Sequence, residues 1–243
     1  MIPKSDLFEI YCKVLINSFN IMDDDYLPVG IGLYLEASVL DHGCWPNATV
    51  VFSGKEAHVR AVAEVGSFDR VRISYTSVLA PKSRRKDELK SQYYFDCHCE
   101  ECQGANPQAV KREQLKLGSV RCPKCKTDVA SSYGVCSQQC DGKLPFEDHS
   151  RLTDELTSKV FEGRGGHPEP MEMCRDFYSD MDKMFSPCDT NFTRVLEHLY
   201  ESHVVADEWE RAYKVGCRAL QAYTRLCPAY DVNVANMALK VLH

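Results

Sequence analysis

Two sets of cysteines are the residues in this chain best suited to chemistry. Cys97, Cys99 and Cys102 lie close enough together to share one tetrahedral metal, but they leave its fourth position open. Cys44, within Asp41-His42-Gly43-Cys44-Trp45-Pro46-Asn47, is the thiolate expected to close it. Zinc held by four cysteines is structural, so its consequence is geometric. It would pin the segment carrying Tyr93 and Phe95 against the turn carrying Asp41 and His42, and two distant polar stretches would share one cleft. A second set, Cys122-Pro123-Lys124-Cys125 and Cys136-Ser137-Gln138-Gln139-Cys140, forms two close pairs across a short loop and predicts another four-cysteine zinc site, a small ribbon-like knuckle. The Pro, Lys, Gln and Asp around these thiols argue against four unpaired core cysteines.

These groups need elements to position them. Leu7, Tyr11, Val14, Leu15 and Ser18 follow helical spacing and predict an amphipathic helix over residues 5–19, with Asp6 and Glu9 as a capping pair and Asn17-Ser18-Phe19 as its end. Gly30 to Leu35 reads as a strand closely approached by other backbone, without a phosphate-binding glycine fingerprint after it. Residues 48–52 and 57–62, joined through Ser53-Gly54, read as a hairpin, and Val71 to Tyr75 as a half-buried strand. His58 falls on a strand face without a chemical task. Pro81 opens a helix whose Arg84, Arg85, Lys86 and Lys90 are interleaved with Asp87 and Glu88, the pattern of a solvated face. Asp23-Asp24-Asp25 lacks the later ligands of a calcium loop and reads as a solvated turn. Leu144 to Glu147 and Gly163 to Pro170 read as linkers around a helix at 151–161. Three apolar stripes follow: Phe192, Val195, Leu196 and Leu199; Trp209, Ala212, Tyr213, Gly216 and Leu220; and Val234, Met237, Ala238 and Val241.

With 243 residues the chain can bury a substantial core. Thirteen cysteines behind a polar start, Met1 to Asp6, point to a reducing compartment in which clustered thiols bind metal. No apolar run approaches membrane-spanning length, so no membrane partner is expected. The net charge of -6 argues against direct binding of nucleic acid, and the sequons at Asn47 and Asn191 read as chance matches.

In order, spacing and residue type, Asp41 to Asn47, Ile73-Ser74-Tyr75 and Cys97 to Cys102 resemble the SMYD branch of the SET-domain protein-lysine methyltransferases. That family's signature reads Asn-His-Ser-Cys-x-Pro-Asn, an Ile-x-Tyr strand, and Cys-x-Cys-x-x-Cys. Asn17-Ser18-Phe19 and Val29 to Tyr34 add to the likeness, and the last two helical stripes, joined through Cys227-Pro228, resemble the TPR-like C-terminal lobe of SMYD proteins. The second cysteine set resembles the opening half of a MYND zinc module, without the ligands that complete one.

The resemblance implies an α+β fold: small SET-type β-sheets over residues 1–80, a post-SET zinc region with a second four-cysteine insertion over 81–145, and a helical lobe over 146–243 that stops short of the usual array. It implies transfer of a methyl group from S-adenosylmethionine to lysines of histone or non-histone proteins, in the cytoplasm and nucleus. The competing expectation is a catalytically inactive SET-derived zinc module that binds a partner protein, with the helical lobe as a docking surface. By resemblance Tyr75 is the catalytic-site tyrosine and touches the donor, as do Asn17, Asp41 and His42, while Phe95 packs against the adenine. Ser18, Phe19 and Tyr93 line the substrate-lysine channel. The chain departs from the family at Asp41, which replaces Asn; at Gly43, which replaces Ser; and at Gly66-Ser67-Phe68-Asp69, which replaces Gly-Glu-Glu-Leu. The family's leading glycine-containing donor-binding segment and MYND module have no counterpart before Ser5.

Overall fold

The computed structural model describes residues 3–23, 28–136, 140–156 and 170–242. It is an α+β chain that divides into two compact units, one of Met1–Val78, Lys82–Gln103 and Cys227–Asn236, the other of Leu79–Pro81, Gly104–Leu226 and Met237–His243.

The first unit opens with helix α1 (Lys4–Asn17), which ends two residues earlier than its apolar spacing predicts. The Asn17 amide donates to the Lys13 carbonyl (2.8 Å) and the Ser18 hydroxyl to the Val14 carbonyl (2.5 Å), closing the last turn. Side-chain bonds of this kind compete with the helix ladder. Ser18 is therefore extended and begins β1 (Ser18–Met22), antiparallel to β2 (Pro28–Leu33). The expected Asp6/Glu9 cap does not form: the N-cap is Pro3, and Glu9 instead pairs with Lys13 at 2.6 Å. Nor does the apolar stripe bury anything, for Leu7 is 59% and Leu15 55% exposed. The acidic run is described only at Asp23, since Asp24 and Asp25 fall outside the described residues.

The hairpin expected around Ser53-Gly54 is β4 (Ala48–Ser53) with β5 (Glu56–Ala61), and Gly54 takes the left-handed φ of 56° that its turn requires. The strand expected over 71–75 shortens to β6 (Arg72–Ile73), parallel to the two-residue β3 (Asp41–His42). It stops because the Ser74 hydroxyl turns to the Thr76 carbonyl at 2.8 Å. Asn47 fixes the turn after β3 to this strand: its amide donates to the Arg70 carbonyl (2.9 Å) and accepts from the Arg72 N–H (2.7 Å). Leu40, Ala48 and Ile73 form the small core beneath, with Phe19, Val50, Val71 and Tyr75 packed on it. Helix α2 (Lys82–Tyr93) carries an exposed Arg84–Glu88 pair at 3.0 Å, as a solvated face should, but Arg85 is fully buried beside Leu89. A short helix, α3 (Glu100–Gln103), follows.

In the second unit, α4 (Pro107–Lys116) is capped by Asn106, whose side chain accepts from the Ala109 N–H. The hairpin β7 (Ser119–Arg121) and β8 (Asp128–Ala130) follows it. Helix α5 (Phe146–Leu156) starts where a linker is expected; residues 157–161 of the predicted helix and 163–169 of the second linker lie outside the described residues. Helix α6 (Pro170–Met184) precedes α7 (Thr190–Val205), whose Phe192, Val195, Leu196 and Leu199 are enclosed as their spacing predicts. In α8 (Trp209–Leu226) the buried face is Ala212, Val215, Gly216, Ala219, Ala222 and Leu226, while Trp209 and Tyr213 are exposed, so the inward stripe is turned from the expected one. Small residues face inward because the helices pack closely: a Cβ on Gly216 would stand 2.6 Å from Val241 Cγ2, on α9 (Val232–Leu242). Among the described residues no helix is long and apolar enough to cross a membrane.

Candidate metal centres and an aromatic cleft

Cys44, Cys97, Cys99 and Cys102 converge in the first unit, all four sulfurs lying within 4.8 Å of one another. Cys44 Sγ is 3.5 Å from Cys102 Sγ and 4.0 Å from Cys97 Sγ. Sulfurs about 2.3 Å from a tetrahedral zinc stand about 3.8 Å apart, so the set fits that ion. Cys99 is held well below the ordinary thiol range by hydrogen bonds from Cys102 and Cys44, while burial pushes Cys97 up to about 11. Arg85 supplies the nearby cation, acting on both Cys44 and His42. Sequence reasoning placed Arg85 in solvent; its spacing four residues before the buried Leu89 was the available signal.

The second set also closes. Cys122, Cys125, Cys136 and Cys140 lie within 4.8 Å of one another, with Sγ separations of 3.5 Å for Cys122–Cys140 and 3.3 Å for Cys125–Cys136. β7 and β8 carry the first two cysteines on their connecting turn, where the Cys122 N–H donates to the Thr127 carbonyl (2.9 Å) and the Lys126 N–H to the Cys122 carbonyl (2.9 Å). The Thr127 hydroxyl, 3.3 Å from Cys125 Sγ, draws that thiol down to about 6. Gly142 escaped sequence reasoning. Its N–H meets Cys140 Sγ at 3.4 Å, and a Cβ there would stand 2.8 Å from Cys122 Sγ.

Aromatic side chains cover the first centre. Tyr75, Tyr93 and Phe95 pack on Leu89 and the cysteines, and the Tyr75 and Tyr93 ring centroids are 4.8 Å apart. His42 joins metal set and tyrosine: its Nε2 is 3.1 Å from Cys44 Sγ, and its Nδ1 accepts the Tyr75 N–H at 3.0 Å. This accepted bond assigns the ring proton to Nε2, from which it points at the sulfur. Burial lowers the imidazole to about 4, with Arg85 adding to the effect. Phe95 lies against His42 with centroids 6.1 Å apart. The segment carrying Tyr93 and Phe95 thus meets the turn carrying His42. The Tyr75 hydroxyl donates to the Leu40 carbonyl. Burial raises the phenols of Tyr75 and Tyr93, with Asp41 adding to the rise at Tyr75, so both stay protonated at neutral pH.

Beside these rings runs a cleft of about 720 Å³, lined by Asn17, Ser18, Phe19, Ser74, Tyr75 and Tyr93 among others. Asp231, Val232 and Asn233 also line it, a contribution that sequence reasoning did not assign. Asp231 is buried and accepts the Asn233 N–H (2.8 Å) and side-chain amide (2.7 Å), holding the start of α9 at the cleft. Phe95, His42 and Asp41 are not among the lining residues; the first two sit over the cysteines and the third is exposed.

No family model matches the chain. It is 29% identical to N-lysine methyltransferase SMYD2-B of Xenopus laevis over 236 residues, which are 96% of this chain and 50% of that protein. Against N-lysine methyltransferase SMYD2 of Mus musculus the identity is 29% over 241 residues, 98% of this chain and 51% of the relative. For SMYD2 of Homo sapiens it is 27% over 243 residues, with 98% and 51% coverage. The similarity to these proteins named N-lysine methyltransferases extends along nearly all of the chain. It spans about half the length of the curated relatives it matches.

Proposed function

We propose that this chain takes part in S-adenosylmethionine-dependent methylation of lysine side chains in proteins, histone or non-histone, and that the cleft beside Tyr75 and Tyr93 is where the lysine enters. The observation that carries the reading is the pair of tilted, protonated tyrosines in contact at the edge of a cleft and packed on a four-sulfur centre. Similarity to proteins named N-lysine methyltransferases supports it.

The chemistry asks little of acids and bases but much of surroundings. A lysine amine ordinarily titrates near ~10.4 and attacks only once neutral, so a channel that excludes water favours its reactive form. Tyr75, Tyr93 and Phe19 supply such walls and bind the aliphatic stem. Their ring faces favour cationic groups as well. When bound, the donor supplies a methyl group on a positively charged sulfur. Tyr75, tied to Leu40 through its hydroxyl and to His42 through its N–H, is the rigid wall against which attacking nitrogen and methyl carbon align. Asn17, Asp41, His42 and Phe95 bind the donor, Phe95 against its adenine, and Ser18 and Phe19 border the lysine channel. Both four-cysteine sets hold zinc: the first fixes the turn after β3 to the segment after α2, and the second stabilises the β7–β8 knuckle. The architecture is a SET-type core with a post-SET zinc segment and a TPR-like helical lobe.

A second reading, a zinc module that binds a partner without catalysis, is favoured by α1, where Leu7, Phe8, Ile10, Tyr11 and Leu15 are all exposed. Transfer of a radiolabelled methyl group to histones and other lysine-rich proteins, by the zinc-loaded chain and by Tyr75→Phe, tests the first reading. Labelling that falls in the variant supports it; a folded chain that labels none of these proteins favours the second.

A further inference from the structure

Asp231 caps a helix in a way that does not require its charge. Its Oδ1 accepts the Asn233 N–H (2.8 Å) and side-chain amide (2.7 Å) at the start of α9, bonds that a serine or asparagine oxygen could also accept. Oδ2 accepts no hydrogen bond among the described residues. The residue is only 3% exposed, and its backbone is held on both sides: the N–H donates to the Pro228 carbonyl (3.0 Å), and the carbonyl accepts from the Val234 (3.1 Å) and Ala235 (3.3 Å) N–H groups. A buried carboxylate with one oxygen unused is costly until a donor reaches it.

The setting of that oxygen indicates the donor. Asp231 lines the same cleft as Tyr75 and Tyr93, and among the described residues that line it Asp231 alone carries a formal charge. One fixed negative charge in an otherwise neutral wall favours a cationic partner, with which it forms a charge-assisted hydrogen bond. The amine to be methylated is the wrong cation. A carboxylate beside it would hold it as the ammonium, the form that does not attack. Clefts of roughly 300–1,000 Å³ hold whole small ligands, so at about 720 Å³ this one has room for a neighbouring side chain beside a lysine.

We propose that Asp231 is a specificity-determining residue that selects lysines lying close in sequence to a second basic side chain. Its Oδ2 accepts from the ammonium or guanidinium of that neighbour, while the target amine enters beside the tyrosines. The proposal rests on the lysine-cleft reading above and adds a substrate class to it: lysines in basic segments.

Fluorescence anisotropy on the zinc-loaded chain tests it with labelled peptides that each hold one lysine. One set carries a single arginine at each of the two positions before and after the lysine, and its control carries glutamine there. The best-placed arginine peptide should bind about tenfold or more tightly than the glutamine peptide. Asp231→Asn keeps the capping oxygen and deletes the charge, so it should abolish most of that preference while leaving the glutamine peptide within about twofold of its original affinity. Asp231→Ser, a second cap without charge, should do the same. Circular dichroism and a urea midpoint matching the parent chain identify variants that remain folded. Equal binding of both peptides by the parent, or an Asp231→Asn variant that weakens both alike, overturns the role of Asp231 and leaves the lysine cleft standing. So does an Asp231→Asn variant that loses S-adenosylmethionine and keeps its peptide preference, for the carboxylate then serves the donor. A folded, zinc-loaded chain that binds neither peptide overturns both readings.

Discussion

Arg85 gives the sharpest test of how the first centre is held. Four thiolates around one divalent zinc would leave a net charge of -2 in a region where Cys44, Cys97 and Cys102 are buried, and the fully enclosed Arg85 is a cation acting on it. Arg85→Met keeps much of the volume and deletes the charge. Removing one partner of a buried charged set costs about 3–5 kcal/mol, because the other charge stays buried without compensation. At about 1.4 kcal/mol per decade, zinc affinity at this centre should fall by about two to four orders of magnitude. The assay is competition with a chromophoric chelator, resolved into two steps because the Cys122–Cys140 set in the same chain serves as the reference. Arg85→Met should weaken one step and spare the other, while Arg85→Lys should recover most of the loss. A variant that holds both zinc ions as tightly as the parent would refute the reasoning, for then the buried guanidinium contributes packing alone.

Further outcomes follow from named contacts. Gly142→Ala should halve the zinc content in native mass spectrometry, because its Cβ would intrude 2.8 Å from Cys122 Sγ and 3.2 Å from Cys140 Sγ; two ions retained would contradict this. Asn47→Ala removes one donated and one accepted bond to the 70–72 segment and should cost about 1–3 kcal/mol, read as a lowered urea midpoint with an unchanged slope. Gly216→Val forces a side chain into Val241 and Tyr200 and should cost about 1–3 kcal/mol by the same measurement, and an unshifted midpoint would show that the helices separate freely. The His42 imidazole, lowered to about 4 in the fold against about 6.5 in an unfolded chain, binds fewer protons folded than unfolded between those values. Its contribution to stability is therefore complete above pH 6.5 and is lost as pH falls toward 4. An NMR titration should place its midpoint below 5, and a midpoint near 6.5 would contradict the buried, sulfur-facing ring.

What the sequence made legible was mostly what spacing alone determines. Three cysteines in one short run need a fourth ligand, and Cys44 does arrive there; Ser53-Gly54 demanded a turn, and Gly54 supplies it. Errors arose where residue type and environment part company. Trp209 and Tyr213 are apolar by type but exposed, because α8 packs through Ala212, Gly216 and Ala219, whose small side chains give a weak pattern while allowing close approach. Arg85 is charged by type but enclosed, because it acts on the clustered Cys44 and on His42, a partner set that an ordinary core lacks. Helix α1 shows the reverse case, an apolar stripe that is left exposed among the described residues. Helices α4 and α6 and the part played by Asp231 at the cleft depend on contacts distant in sequence, which local periodicity does not encode.

The most direct test of the cleft as a methyl-transfer site is calorimetric titration of the zinc-loaded chain with S-adenosylmethionine, repeated after Tyr75→Ala and after zinc removal. The account predicts saturable binding at one donor per chain, weakened when Tyr75 is cut away and lost when the centre beneath it is emptied. Binding that survives zinc removal unchanged, or its absence from a folded, zinc-loaded chain, would contradict it.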